Sequence, residues 1–229
     1  MRFKKTAATL LSCALTFAVS ANALAASFTD ISGHWAEDTI IALADGGVVN
    51  GVTETEFQPD EKVTRAEFLK MVMNAVGIET VEYRYGECLE VKSDDWFAPY
   101  VQSALDKGIM PSNMITGYTV EVVTDEDGST RAVYGGAFNG ILPITREEMA
   151  VMTQYMYQYT RNANTMKDME GASEMPFTDV GDISGWAYET VKLAYAQGFI
   201  DGMDDGTFSP TATATRAQAA IIISRLMAK

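Results

Sequence analysis

The chain has 229 residues and a formal net charge of −14, from 17 basic and 31 acidic side chains. This composition argues against a nucleic-acid-binding protein, because such proteins carry basic surfaces. The two cysteines, Cys13 and Cys88, exclude a framework of several disulfides. An anionic ligand would have to be held by specific arginines, because the field of the whole chain repels it.

The first 25 residues have the pattern of a secretory signal peptide. A basic start at Arg2, Lys4 and Lys5 is followed by an apolar run over residues 7–19 and by small residues suited to cleavage. The run is too short to span a membrane, and no later stretch approaches the roughly 18 apolar residues that a spanning helix needs. The sequence therefore predicts an exported chain without membrane insertion after cleavage.

An internal repeat follows this segment, and three tryptophans set its register. From Trp35 and from Trp186, the spacings to the next glycine, phenylalanine, proline and threonine motifs are identical. The copy that contains Trp96 is divergent, because it lacks the proline and carries about 20 extra residues before its phenylalanine. The predicted repeats cover residues 26–80, 81–160 and 177–229. A polar linker, residues 161–176, precedes the last repeat.

Each repeat is predicted to contain two helices joined by a loop. The first helix begins near the tryptophan, which lies on its apolar face, and ends at a glycine. Its expected caps are Ser32, Asp94 and Ser184. The second helix begins at a capping box, in which a threonine and a Glu or Gln three residues later satisfy each other's backbone N–H groups. The boxes are Thr64 with Glu67, Thr145 with Glu148, and Thr215 with Gln218.

An arginine occupies the first helical position in each capping box: Arg65, Arg146 and Arg216. A cation at this position faces the positive end of the helix dipole, which costs about 0.3–1 kcal/mol. Three such arginines in register indicate an anion that the arginine and the N–H groups of the helix start hold together.

The extra residues of the middle repeat predict a β-hairpin over about 116–136. Residues 118–123 and 130–134 are rich in β-branched and aromatic side chains, and an acidic turn lies between them. The acidic clusters at 125–128 and 201–206 raise the question of calcium, but neither has the spacing of an EF-hand loop. No metal site and no cofactor is expected.

Together these motifs resemble the S-layer homology repeat. The residues that carry the resemblance are Phe28-x-Asp30, Trp35-Ala36, Phe57-x-Pro59 and Thr64-Arg65-Ala66-Glu67, with Phe177-x-Asp179, Trp186-Ala187, Phe208-x-Pro210 and Thr215-Arg216-Ala217-Gln218. The resemblance covers essentially the whole chain after the signal peptide, and the middle repeat is its weakest match. There, Glu90-Val91 is the nearest counterpart of the missing Phe-x-Asp.

The resemblance implies a mainly α fold, with three two-helix repeats in a pseudo-threefold arrangement around a central helix bundle and a hairpin inserted in repeat two. It also implies a non-catalytic module at the bacterial cell surface. The expected partner is an anionic secondary cell-wall polysaccharide, which in this family often carries pyruvate ketals. The ligand-binding residues that it implies are Arg65, Arg146, Arg216, Asp30, Asp179, Trp35, Trp96 and Trp186.

Several alternatives stay open. Core packing is favoured over sugar binding for the tryptophans, while Asp30 and Asp179 suit a ligand contact or a local turn equally well. A small secreted cell-wall glycoside hydrolase is a second candidate function, because glycosidases need two carboxylates. Here, however, the carboxylates repeat with the structural unit, and His34 is the only histidine. The third candidate is an adaptor that recruits a surface-layer or other exported protein through the hairpin.

Overall fold

A computed structural model of the protein describes residues 28–84, 90–161 and 174–229. These ranges contain six α-helices and one antiparallel two-stranded sheet, so the protein is mainly helical as predicted. The elements are α1 (Glu37–Asp45), α2 (Arg65–Ala75), α3 (Ala98–Asp106), β1 (Thr116–Thr124), β2 (Thr130–Ala137), α4 (Arg146–Arg161), α5 (Tyr188–Ala196) and α6 (Arg216–Met227). The predicted signal peptide, Cys88 and most of the predicted linker lie outside the described residues.

The capping boxes at the start of α2, α4 and α6 are confirmed. The N–H of Glu67 donates to Thr64 Oγ1 at 3.2 Å, and the N–H of Thr64 donates to Glu67 Oε2 at 2.8 Å. The same reciprocal pairs join Thr145 with Glu148 and Thr215 with Gln218. Each pair satisfies two backbone donors that a helix start would otherwise leave without a partner.

The other three helices, α1, α3 and α5, each begin two residues after a tryptophan, as the motif predicted. Each also ends at a glycine stop, where Gly47, Gly108 and Gly198 have φ angles of 70°, 63° and 74°. The predicted caps Ser32, Asp94 and Ser184 are wrong. The N-cap residues are Ala36, Phe97 and Ala187, and none makes a side-chain cap hydrogen bond.

Tight backbone turns replace these side-chain caps. The N–H of Glu37 donates to His34 O at 2.9 Å, and the N–H of Ala98 donates to Asp95 O at 3.0 Å. Because a main-chain carbonyl already satisfies the donor, the helix start does not need a serine or aspartate oxygen.

One hydrophobic core is shared between the repeats. The capping-box helices α2, α4 and α6 contact one another, and each also packs against the first helix of a different repeat: α3 on α2, α5 on α4, and α1 on α6. Phe57, Phe138 and Phe208, which precede these helices, are at most 1% exposed. Burial of each such ring contributes roughly 1.5–3 kcal/mol. None of the helices in the described ranges is both long and apolar enough to cross a membrane.

The predicted hairpin is also confirmed. Strands β1 and β2 pair antiparallel with Val120 opposite Tyr134, and the acidic turn between them contains Gly128 at a φ of 83°. In this turn the carboxylate of Asp127 accepts a hydrogen bond from the N–H of Ser129 at 2.9 Å. The face that carries Val120 and Val122 is exposed to solvent, at 49% and 75%.

Candidate ligand-binding grooves

Each capping-box arginine is buried and reaches into the loop of another repeat. Arg65, Arg146 and Arg216 are only 5%, 8% and 7% exposed. Their Nε groups donate to one phenylalanine carbonyl each: Arg65 to Phe138 at 2.8 Å, Arg146 to Phe208 at 2.7 Å, and Arg216 to Phe57 at 2.7 Å. In terms of the predicted repeats, these contacts lead from the first to the second, from the second to the third and from the third back to the first, so they form a closed cycle.

Further contacts fix each guanidinium group. It lies over the ring of the same phenylalanine, with its Cζ atom 4.6–5.1 Å from the ring centroid. Its Nη2 group donates to a second carbonyl, which belongs to Met114 for Arg65, Asp201 for Arg146, and Asn50 for Arg216. A cation over an aromatic ring gains about 0.5–2 kcal/mol. This gain and the hydrogen bonds explain how a cation is tolerated at the positive end of the helix dipole.

The backbone donors at the start of each capping-box helix are occupied as well. The N–H groups of Arg65 and Ala66 donate to Leu142 O and Gly140 O, both at 2.9 Å. In the other two helices, the backbone N–H groups of the equivalent residues donate to backbone carbonyl oxygens in the same way. These bonds join Arg146 to Ala212, Glu147 to Pro210, Arg216 to Glu61, and Ala217 to Pro59. The expectation that these N–H groups help to hold an anion is therefore wrong, because loop carbonyls already accept their hydrogen bonds.

The aspartates of the Phe-x-Asp motif stabilise the same loops. Asp30 accepts hydrogen bonds from the N–H groups of Phe57 at 2.9 Å and Gln58 at 2.6 Å. Asp179 does the same for Phe208 and Ser209, both at 2.7 Å. Gln58 and Ser209 have φ angles of 58° and 55°, which are unfavourable for residues other than glycine. Burial alone raises the pKa of Asp30, but the two N–H groups hold this pKa below its usual value.

In the middle repeat, Glu90 takes the place of this aspartate. Its Oε1 atom accepts a hydrogen bond from the N–H of Asn139 at 2.6 Å, and Asn139 has a φ of 56°. Asn139 follows Phe138 just as Gln58 follows Phe57. The geometry thus agrees with the sequence alignment of Glu90 with Asp30, although the longer side chain reaches only one N–H group.

Two grooves of the same construction lie between the repeats. The larger one, the Arg146 groove, has a volume of about 520 Å³ and is lined by Arg146, the 199–204 loop, helix α6 and Trp35. The smaller one, the Arg216 groove, has a volume of about 270 Å³. It is lined by Arg216, the 48–52 loop, helix α2 and Trp96. In both grooves, the arginine, the loop with its helix, and the tryptophan come from three different predicted repeats.

The prediction that the tryptophans pack in the core is wrong. Trp35, Trp96 and Trp186 are 65%, 52% and 37% exposed. Because each stands before the first helical turn, its ring projects from the turn and does not lie on the apolar face of the helix. The next residue is buried instead: Ala36, Phe97 or Ala187. Trp35 and Trp96 line the two grooves, whereas Trp186 lines neither of them.

Sequence reasoning missed the polar residues that the capping-box helices contribute to the grooves. Lys70 of α2 lies with its Nζ atom 5.4 Å from the ring centroid of Trp96. Arg225 of α6 pairs with Asp201 and donates to Phe199 O at 3.2 Å. Both are basic residues on helices that are mostly apolar after their capping box, in an acidic chain, and that contrast was the available signal. The pairing with Arg225 also gives Asp201, from the acidic cluster considered for calcium, a partner within the protein.

Two parts of the chain match a known protein family. The sequence model of the S-layer homology domain family matches residues 27–69 and 176–220. The amylopullulanase of Thermoanaerobacterium thermosulfurigenes is 33% identical over 89% of this chain and 10% of its own length. The exoglucanase XynX of Acetivibrio thermocellus is 33% identical over 89% of this chain and 16% of its own. The surface-layer 125 kDa protein of Lysinibacillus sphaericus is 25% identical over 86% of this chain and 14% of its own length. The chain thus spans at most 16% of these relatives.

Proposed function

The chain is an S-layer homology domain protein, and we propose that it is a non-catalytic module that binds anionic cell-wall polysaccharide in the grooves between its repeats. The domain implies cell-wall anchoring, and the surface-layer relatives indicate a location at the cell surface. One observation supports the proposal most directly. Two grooves of the same construction each combine a buried arginine at the base with an exposed tryptophan at the rim.

A pseudo-threefold arrangement of three repeats is part of this proposal. The closed cycle of arginine-to-phenylalanine contacts supports it. Three isolated backbone bridges add support, because they also connect each repeat with the other two: Lys62 with Thr215, Thr64 with Pro143, and Thr145 with Thr213. In such an arrangement the loop of one repeat meets the arginine of a second and the tryptophan of a third, so each groove exists only in the assembled triplet.

The chemistry of the grooves suits an acidic sugar. An exposed indole offers an apolar face to the C–H face of a pyranose ring, while its edge stays in contact with water. Asn50 and Asn74 in the Arg216 groove provide amide groups for sugar hydroxyls. The arginine at the base provides a planar cation that binds carboxylates, such as that of a pyruvate ketal, with directional hydrogen bonds.

Sedimentation with purified cell walls tests the proposal. The double variant Trp35→Ala/Trp96→Ala removes the rim of both grooves, and we expect at least a tenfold loss of wall binding, on the order of the 1–3 kcal/mol that stacking on an aromatic ring contributes. The expected change in thermal stability is small, because both rings are mostly exposed. Val122→Ala in the exposed hairpin is the matched control. Full sedimentation of the double variant would refute binding in these grooves.

The same assay addresses the anion and the competing hydrolase function. Walls from which the pyruvate ketals have been removed are expected to bind less protein, because the arginines then lose their carboxylate partner. The protein is expected to release no reducing ends from the walls. Release that a single carboxylate substitution abolishes would contradict the non-catalytic proposal.

A further inference from the structure

The three capping-box arginines differ in the residue that faces them across the junction. This residue is the third helical position of the next capping box, which is Glu148, Glu67 or Gln218. Arg65 forms an ion pair with Glu148. Arg216 has its Nη1 atom 4.0 Å from Glu67 Oε1. Arg146 shares its groove with Gln218, which carries no charge.

Among the three capping-box arginines, Arg146 is therefore the one without a directly paired carboxylate in the described part of the chain. Among the described residues, no carboxylate lies within 4.0 Å of its guanidinium group, and its hydrogen bonds go to the carbonyl oxygens of Phe208 and Asp201. Burial lowers the pKa of Arg146, and the negative charge of Asp179 counteracts this effect. The group stays protonated at physiological pH, because the pKa of arginine starts far above neutrality.

We propose that Gln218 makes the Arg146 groove the anion-binding groove of this protein. The inference rests on the proposed function and identifies the groove and the residue that determine it. A carboxylate at the base of this groove can approach Arg146 without displacing an acidic side chain. In the Arg216 groove, the carboxylate of Glu67 would repel it, and at Arg65 the position is taken by Glu148.

The other charges in the two grooves do not reverse this order. In the Arg146 groove, Asp201 is paired with Arg225, and Asp204 is exposed to solvent. In the Arg216 groove, the additional cation is Lys70, whose Nζ atom lies over the ring of Trp96. A carboxylate bound to Lys70 would therefore sit at the rim of the groove and away from Arg216 at its base.

A reciprocal exchange tests the inference. Gln218→Glu and Glu67→Gln each place a residue that already closes a capping box elsewhere in this chain, so both variants should fold like the wild type. The probe is a methyl hexoside with a cyclic pyruvate ketal, and its methyl ester is the neutral control, both measured by calorimetry. We expect Gln218→Glu to weaken binding of the acid about tenfold or more, while the ester is unaffected. Glu67→Gln is expected to leave this site unchanged and to add a second site for the acid in the Arg216 groove, because the charge that repels an anion there is removed.

Several outcomes would overturn the inference. Unchanged acid binding in Gln218→Glu, or an equal loss of acid and ester, would show that the charge at position 218 does not select the anion. A single acid site that Glu67→Gln tightens and Gln218→Glu leaves unchanged would assign the anion to the Arg216 groove. If the wild type ignores the probe but still sediments with walls, this inference fails and wall anchoring stands. If it does neither, both fail.

Discussion

The base and the rim of each groove are built in opposite ways. At the base, Arg146 and Arg216 are more than 90% buried and hydrogen bonded to main-chain carbonyls. At the rim, Trp35 and Trp96 are more than half exposed. A buried, hydrogen-bonded group contributes to folding, while an exposed apolar ring has little to lose from mutation and a surface to offer a ligand. The sequence motif contains both the arginine and the tryptophan. A residue's place in the motif therefore does not tell whether it stabilises the fold or binds the ligand.

Arg216→Ala is expected to have the largest effect on stability. If it reduced wall binding alone, the assignment of the base to folding and the rim to binding would be wrong. The substitution leaves the buried carbonyl of Phe57 without its partner, which costs about 1–3 kcal/mol, and removes the hydrogen bond to the partly exposed carbonyl of Asn50. We expect the free energy of unfolding, measured with urea, to fall by about 3–5 kcal/mol once the lost contact with the Phe57 ring is included.

Arg225→Ala is the matched control for this substitution, because Arg225 lies on the same helix but its side chain is 34% exposed. Its expected loss is about 1 kcal/mol or less. If Arg216→Ala kept full stability and lost only wall binding, the main role of the base arginine would be to contact the ligand and not to stabilise the fold.

Gln154→Met should raise the free energy of unfolding by about 1–3 kcal/mol, because Gln154 is a buried polar side chain that, unlike the base arginines, makes no hydrogen bond to the described residues. Gln154 is fully buried, and neither its amide oxygen nor its amide nitrogen has a hydrogen-bond partner among the described residues. The equivalent residue of α2 is the buried Met73, so the new side chain suits this position.

Gln102→Met is the control for that substitution. Gln102 is equally buried, but it accepts a hydrogen bond from the N–H of Arg84 and donates to Asp106. The control should therefore destabilise the protein. Destabilisation by Gln154→Met, measured by urea unfolding, would mean that the amide has a partner such as a buried water.

The local structure was readable from the sequence, and the contacts between repeats were not. The capping boxes and the hairpin are set by residues a few positions apart, so pattern alone located them. The partner of Arg216 is Phe57, 159 positions away, and no local pattern specifies such a contact. Periodicity also misplaced Trp35, because a residue before the first helical turn does not follow the helical period. The grooves depend on these two features, so their geometry had to come from the fold.

A smaller effect is expected at Asp30, whose carboxylate holds the loop that Arg216 contacts and makes stability depend on acidic pH. The pKa of Asp30 is lower in the folded protein than its ordinary value, so its contribution to stability is present above the unfolded-state pKa of about 3.9 and is lost as the pH falls through the folded value. Asp30→Asn should therefore lower stability at neutral pH and flatten the decline below about pH 4. Thermal melts across this range test it, and an unchanged acid limb in the variant would contradict it.

Trp186→Ala is expected to have the smallest effect on wall binding. The ring of Trp186 is 37% exposed and lines neither described groove. In the proposed threefold arrangement, the arginine equivalent to those of the two grooves is Arg65, which already pairs with Glu148. Wall binding should therefore equal that of the wild type, whereas stability should fall because the ring is mostly covered. Loss of sedimentation as large as that of Trp35→Ala/Trp96→Ala would show that the tryptophan, and not the pairing of the arginine, decides where the polysaccharide binds.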